Sequence, residues 1–204
     1  LKGGEKTLIA VLDSSFNVNH LSFKDLSSDI GVRYEKADIG AIIEKSEFRA
    51  NTSLEASYIN RKLPYVYDYG GTVTQKNSNY SNIEDSDVFS TNSYHGMHVA
   101  SIAAANGDFL GIAPNAQVAF LKVFGDLTTG GQVALDSFIL TALNDAYLLG
   151  ADTINMSFGS DLHDFNEPTA TDFITKKIKE TGSILSVSAG NAGKDNWSNS
   201  GSYA

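Results

Sequence analysis

Cysteine is absent from the 204-residue chain. This absence excludes a disulfide framework, a thiolate zinc site and a cysteine nucleophile, and it fits a secreted bacterial protein as well as a cytosolic one. Long apolar runs are absent too, since none approaches the roughly 18 residues that a membrane-spanning helix needs. We therefore expect no insertion into a membrane.

Basic residues are in the minority. Fifteen Lys and Arg side chains stand against 24 Asp and Glu, which gives a formal net charge of −9. An acidic balance disfavours nucleic acid and anionic membrane surfaces as partners. The length is sufficient for one large domain with a sizeable core.

Short apolar runs alternate with helical patterns over much of the sequence. This order predicts an α/β fold: a parallel, doubly wound sheet with helices on both faces. The residues between about 36 and 92 read as a polar insertion that contains a short helix and one strand. The predicted strands cover residues 7–12, 63–69, 117–124, 152–159 and 183–189, and the predicted helices cover 38–48, 95–105, 133–149 and 169–179.

An acidic cluster lies in one of the less regular segments. Glu84, Asp85 and Asp87 lie in a stretch rich in Ser, Asn and Thr, where carboxylates bind calcium or a basic peptide in some proteins and are simply solvated in most. The chain stops soon after its fourth predicted buried strand, which favours a sheet that is incomplete in these residues.

The central stretch begins at His95, in the first turn of a predicted helix. Val99, Ile102 and Ala103 have the spacing of an apolar helical face, and we expect His98 to be turned into the helix packing. The dipole at a helix N-terminus disfavours an imidazolium. A base at His95 therefore needs a carboxylate partner.

Three polar side chains are predicted to meet at one edge of the sheet. Asp13 and Asn191 follow predicted strands, and His95 opens a helix. In a parallel sheet, strand ends and helix starts share an edge. A carboxylate beside an imidazole makes a general base for a hydroxyl nucleophile, and a nearby amide can donate to an oxyanion.

Five motifs in order resemble those of the subtilisin-like serine proteases, the subtilases. Within that family, the His-Gly-Met-His variant and the long insertion look most like the cell-envelope proteases of lactic acid bacteria and streptococci, such as lactocepin and C5a peptidase. The motifs are residues 9–14 (IAVLDS), 95–100 (HGMHVA), 111–116 (GIAPNA), 154–159 (INMSFG) and 188–191 (SAGN).

The resemblance implies a role for each matching residue. Asp13 would orient and stabilise the histidine, His95 would act as general base and then general acid, and Asn191 would stabilise the oxyanion. An extended peptide would bind by β-augmentation between two substrate-binding segments, of which one comprises Phe124, Gly125 and Asp126 and the other Ser157, Phe158 and Gly159.

The sequence departs from the family pattern in three places. Ser15 stands where the family usually has glycine, and the loop from Asn106 to Leu110 looks short for the family's structural calcium site. No Gly-Thr-Ser-Met-Ala-like motif occurs. The resemblance therefore implies that the serine lies beyond Ala204, and we expect the C-terminal remainder of the same precursor, as a second polypeptide, to supply it.

Other interpretations remain open at this stage. His95 and His98 have an i, i+3 spacing that suits some zinc sites, although the glutamate of a His-Glu-x-x-His motif is missing. No strand is followed by a glycine-rich phosphate loop, which makes nucleotide binding a weaker alternative. The main rival to a secreted or wall-attached endopeptidase that needs no cofactor is a pseudoprotease or binding module with the same fold.

Overall fold

A computed structural model of the chain describes residues 3–70, 72–73, 94–127, 132–159 and 168–191. The acidic cluster at Glu84, Asp85 and Asp87 lies outside these ranges. The helices are α1 (Lys36–Ile43), α2 (Leu54–Ser57), α3 (His95–Ala104), α4 (Asp136–Leu148) and α5 (Pro168–Thr181). The strands are β1 (Leu8–Asp13), β2 (Tyr65–Asp68), β3 (Thr72–Val73), β4 (Gln117–Lys122), β5 (Phe124–Leu127), β6 (Gln132–Ala134), β7 (Thr153–Met156) and β8 (Ile184–Val187).

The predicted fold class is confirmed. Five strands form one sheet in the order β2-β4-β1-β7-β8, and every neighbouring pair in it is parallel. Strand β1 is central, which explains why its residues form a continuous apolar run that is buried on both faces. Within the range expected to be a polar insertion, β2 belongs to this sheet and is fully buried.

Alternate residues of β1 pack into two separate cores. Leu8, Ala10 and Leu12 belong to the larger core, which α4 covers, whereas Val11 belongs to a second core that α3 covers. This division follows from the two-residue period of a strand. The predicted apolar stripe of α4 is buried throughout, and it comprises Phe138, Ile139, Ala142, Leu143, Ala146 and Tyr147.

The predicted apolar face of α3 is wrong in part. Its buried residues are Gly96, Met97, Ala100 and Ala104, whereas Ile102 is 50% exposed. The helix approaches the sheet through its small residues, since these allow a close approach, and the larger aliphatic side chains are left nearer to solvent.

The predicted strand over residues 117–124 is two strands in two sheets. Strand β4 ends at Lys122, and β5 begins at Phe124 in a second sheet with the order β3-β5-β6. The apolar run gives no sign of this change of sheet, because Val123 between the two strands is fully buried, as Lys122 at the end of β4 is. Strand β6, which pairs antiparallel with β5, was not predicted.

Strand β8 is less buried than the sequence predicts. Its residues alternate between exposed and half-buried, and Ile184 is 65% exposed. Within the described residues β8 pairs with β7 alone, so one of its edges and one of its faces lack the neighbours that would bury them. No described helix is long and apolar enough to cross a membrane.

Candidate active site

A buried carboxylate and a half-exposed imidazole meet at the carboxyl edge of the main sheet. Asp13, the last residue of β1, accepts a 2.7 Å hydrogen bond at Oδ1 from Nδ1 of His95, the first residue of α3. The Asp13 side chain is 1% exposed and that of His95 is 54% exposed. The sequence prediction that these two residues meet agrees with this geometry.

The turn after β1 ties the two elements together. The Ser14 amide donates to Asp13 Oδ1 at 2.7 Å, and the Ser14 hydroxyl accepts from the Gly96 amide at 3.2 Å. That amide belongs to the first turn of α3, where no helical carbonyl can satisfy it. Ser14 therefore fixes the start of α3, and with it His95, to the end of β1.

Gly96 makes the close approach of α3 possible. A Cβ atom placed on it would lie 2.9 Å from the Ser15 carbonyl oxygen and 3.2 Å from Asp13 Cβ. Any side chain there would press on the turn that holds the carboxylate. Ser15, the departure from the family pattern, is itself 1% exposed, and its hydroxyl accepts a 3.4 Å hydrogen bond from Nε2 of the Gln132 side chain on β6.

The contact fixes the tautomer of the imidazole. An ionised carboxylate can only accept hydrogen bonds, so Nδ1 carries the hydrogen and Nε2 provides the basic lone pair. When Nε2 takes up a proton, the buried Asp13 carboxylate offsets the unfavourable helix dipole at this position. The pair can therefore serve as a general base towards solvent.

Asn191, the predicted oxyanion donor, lies at the carboxyl edge of the main sheet. It is exposed and follows the carboxyl end of β8, at the same edge of the sheet as Asp13 and two strands away from it. Gly190 before it has a φ of +84°, a left-handed conformation that glycine adopts without strain. The sequence Ala-Gly-Asn thus turns the chain directly after the strand.

The two predicted substrate-binding segments touch each other through aromatic rings. Phe124 and Phe158 pack edge to face with ring centroids 5.4 Å apart. Ser157 comes directly before Phe158 in the chain, and its hydroxyl accepts a 2.8 Å hydrogen bond from Nδ2 of the Asn155 side chain. Ser157, Phe158 and the exposed Gly159 follow the last residue of β7, beyond its ladder pairing.

The predicted substrate-binding segment of residues 124–126 is already paired with neighbouring strands. Asp126, of which only the backbone is described, has Gln132 of β6 as its partner on one side and Thr72 of β3 on the other. Gly125 pairs with Val133, and the backbone of Gly70 packs so closely that a Cβ there would lie 2.4 Å from Gly125 N. Strand β5 is therefore internal to its sheet.

The histidine pair does not form a metal site among the described residues. His98 is exposed, which corrects the expectation that it packs inside, and it lies one helical turn beyond His95. Within the described ranges no three His, Asp or Glu side chains gather closely enough to hold a metal ion.

The loop from Asn106 to Leu110 does not fit a calcium ion. Its best oxygen ligand, Asn106 Oδ1, accepts a 2.9 Å hydrogen bond from the Lys24 amide. The carboxylate of the loop, Asp108, forms an ion pair with the Lys24 ammonium at 3.4 Å. The loop uses its oxygen atoms to hold the segment around Lys24.

Sequence reasoning missed a second charged pair beside Asp13. Lys122 ends β4 and Asp68 ends β2, and their side chains form a 2.8 Å ion pair in which both are fully buried. A signal for it was present, since each residue closes an apolar strand with a charge, as Asp13 does.

Two further buried ionisable groups lie away from this edge. The ammonium of Lys62 donates to the carbonyl oxygens of Pro114 and Ala116 at 2.8 and 2.6 Å, and burial lowers its pKa to about 7. Burial raises the pKa of the Asp145 carboxyl on α4, although this group accepts hydrogen bonds from the amides of Arg49 and Ala50 and from the Tyr69 hydroxyl.

Comparison with known proteins adds the family context. The sequence model described as the Subtilase family matches residues 4–203. The PI-type proteinase of Lactococcus lactis subsp. cremoris is 32% identical over 197 residues, which are 93% of this chain and 9% of that protein. C5a peptidase of Streptococcus pyogenes is 26% identical over 200 residues, which are 92% of this chain and 15% of that protein. The chain thus spans about a tenth of the length of the lactococcal relatives.

Solved structures support the same fold. The protease domain of PatA superposes with a TM-score of 0.54 and 19% identity, over 95% of this chain and 53% of that one. The prenylagaramide maturation protease PagA superposes with a TM-score of 0.53 and 20% identity, over 94% of this chain and 48% of that one.

Proposed function

Because this chain belongs to the subtilase family, we propose that it forms part of a serine endopeptidase and supplies Asp13, His95 and Asn191 to the active site. The 2.7 Å contact between the buried Asp13 carboxylate and His95 Nδ1 carries this proposal. It orients the imidazole through Nδ1 and makes Nε2 the basic nitrogen, as a general base requires.

The proposed reaction is acyl transfer from a peptide to a serine. His95 Nε2 takes the serine hydroxyl proton while Oγ bonds to the scissile carbonyl carbon, and the Asn191 amide donates to the oxyanion that forms. His95 then returns the proton to the leaving amine as the C–N bond breaks. Water repeats the two steps on the acyl-enzyme and releases the serine.

The serine is proposed to come from the remainder of the protein, outside these 204 residues. This follows from the order of the motifs, since subtilases place the nucleophile after the aspartate and histidine. The proposed substrates are extracellular proteins, and the proposed location is secreted or attached to a bacterial cell wall. The resemblance to the lactococcal and streptococcal proteases supports both.

Substrate binding is proposed along the segment from Ser157 to Gly159, which lies beyond the ladder of β7. The proposed mode of binding is backbone pairing with an extended peptide. Because β5 is internal to its sheet, Phe124 contributes through its ring, which packs on that of Phe158.

A matched pair of histidine variants tests the proposal. In the intact protein, His95→Ala should abolish cleavage of a mixed peptide library followed by mass spectrometry, whereas His98→Ala should retain it. Both histidines are exposed on the first turns of α3, and His95 is the one that contacts Asp13. The His98→Ala variant therefore controls for the loss of an exposed imidazole from this helix.

Equal losses in the two variants would point to a metal site shared by the histidines. Cleavage that survives His95→Ala would contradict the proposed base. An intact, folded protein that cleaves no peptide at all would leave the binding module as the better description.

A further inference from the structure

Three charged side chains form a row across the carboxyl edge of the main sheet. Lys122 on β4 is the register partner of Asp13 on β1 and also of Asp68 on β2. The order along the edge is therefore Asp68, Lys122, Asp13, with the lysine between two carboxylates.

The three side chains lie on the same face of the sheet. Val66, Phe120 and Val11 precede them by two residues in their strands, and all three belong to the core that α3 covers. Because side chains two residues apart in a strand point the same way, Asp68, Lys122 and Asp13 also face α3. Lys122 and Asp68 are fully buried and Asp13 nearly so.

The carboxylate of Asp13 is incompletely satisfied by its hydrogen bonds. Oδ1 accepts from the Ser14 amide and from His95 Nδ1, whereas the buried Oδ2 has no hydrogen-bond partner among the described residues. Burying a carboxylate oxygen without a partner is costly. A cation on the adjacent strand reduces that cost through its field, which is poorly screened at a buried site.

We propose that the Lys122–Asp68 ion pair is a positioning element for the Asp13–His95 couple, in which the Lys122 charge stabilises the Asp13 carboxylate and Asp68 limits that charge. The part of this inference that concerns catalysis rests on the proposed function. Asp68 holds the ammonium at 2.8 Å, and its other oxygen accepts from the Gly70 amide at 2.9 Å. Lys122 is thereby kept from competing with His95 for Asp13.

The other described elements add few charges near this row. Helix α3 carries His95 and the exposed His98, and β7 on the other flank of β1 has no titratable group. The segment of residues 16–26, which packs on the same face as α3, carries the exposed His20, Lys24 and Asp25. Asp126 on β5 is described by its backbone alone. Helix α4, with Asp136 and Asp145, packs against the opposite face of the sheet.

Single and double variants change the local charge in a defined way. Asp68→Asn removes one negative charge and retains a carbonyl oxygen that accepts from Lys122, so the imidazolium becomes less stable. Lys122→Met removes one positive charge and has the opposite effect. The double variant Lys122→Met/Asp68→Asn restores the balance, and replacing both partners of a buried ion pair is tolerated better than replacing one.

The experiment is an NMR titration of the His95 Cε1–H resonance in the intact protein, assigned by its loss in His95→Gln. Asp68→Asn should lower the titration midpoint by about one pH unit, the effect of one buried and poorly screened charge two strands away. The double variant should return to within a few tenths of a pH unit of the wild type. In peptide cleavage, kcat should fall about tenfold in Asp68→Asn with KM unchanged, and it should recover in the double variant.

Lys62→Met is the matched control, because Lys62 is another fully buried lysine whose partners lie at the opposite end of β4. The Lys62→Met variant should have a lower free energy of unfolding than the wild type and the same titration midpoint for His95. If Asp68→Asn does not fold, Lys122→Met replaces it, with an upward shift expected.

Midpoints unchanged in whichever single variant folds, or a double variant displaced as far as Asp68→Asn, would overturn the inference and leave the pair a packing element. The titration decides this even if the protein cleaves no peptide, which would instead contradict the proposed function.

Discussion

Asp13 combines two properties that act together on His95. Its burial keeps water from screening the carboxylate, and its 2.7 Å contact fixes the imidazole through Nδ1. An exposed aspartate at the same distance would hold the ring far more weakly, since exposed ion pairs contribute little. The carboxyl end of β1 provides the burial, because β4 and β7 flank that strand on both sides.

Lys62 makes the stability of the fold depend on pH. Burial lowers its pKa from 10.5 to about 7, so between these values the unfolded chain holds a proton that the folded chain has released. The free energy of unfolding should therefore rise with pH across this window, by at most about 1.4 kcal/mol per pH unit. Below pH 7 both states are protonated and the contribution is constant.

The measurement is urea unfolding of the wild type and Lys62→Met at pH 6 and pH 9. The stability of the variant relative to the wild type should decrease from pH 6 to pH 9, because only the wild type gains from deprotonation of this amine. The same comparison with Lys36→Met, at an exposed lysine, should show no such change. If the free energies of unfolding of Lys62→Met and the wild type differ by the same amount at both pH values, the lowered pKa of Lys62 would be contradicted.

At the scale of elements, α3 acts as the support of His95, and Gly96 sets its distance from β1. Gly96→Ala should displace the first turn of α3, because the new methyl group would press on the Ser15 carbonyl and the Phe16 ring. Misplacing a catalytic group by a fraction of an ångström to one ångström costs about one to two orders of magnitude in rate. We expect a loss of that size in kcat.

Gly40→Ala is the matched control for this variant. Gly40 also lies in a helix, α1, but the nearest atom to its added Cβ is the tip of the Leu54 side chain, which can move. Alanine should stabilise that helix slightly and leave kcat unchanged. Equal kcat values for Gly96→Ala and the wild type would show that α3 is not held by this contact.

The elements differ in how far the sequence could predict them. The strand at β1 and the helix α4 were predicted well, because the apolar run of one and the 3.6-residue stripe of the other directly record which surfaces they bury. The sequence did not predict the break between β4 and β5, because buried residues of two adjacent sheets have the same apolar character. The face of α3 was misjudged because close packing through small residues overrode hydrophobicity.

In the candidate site, too, some features could be predicted from the sequence and others could not. The contact between Asp13 and His95 could be anticipated because each residue lies in a local motif, whereas the role of Asn191 stays a prediction. The charges of Lys122 and Asp68 at strand ends are visible in the sequence, but their pairing is not, since residues 54 positions apart are joined only by the pairing of β2 with β4. The internal position of β5 likewise depends on β3 and β6, which are too short to be recognised from their sequences.

At the scale of the whole molecule, one edge of the main sheet gathers the residues that this chain is proposed to supply to the active site. Strands β2, β4, β1 and β7 end there, together with the turn after β8, and the start of α3 lies over β1. Parallel strands make this convergence possible, because every strand delivers its last residue to the same edge.

The most direct test of the central claim is labelling of the intact protein with a fluorophosphonate, which reacts covalently with an activated serine, followed by mass spectrometry of the labelled peptide. We predict a label on a serine outside these 204 residues, and its loss in His95→Ala but not in His98→Ala. A folded protein that takes up no label, or one labelled equally in His95→Ala, would contradict the claim that Asp13 and His95 activate a serine.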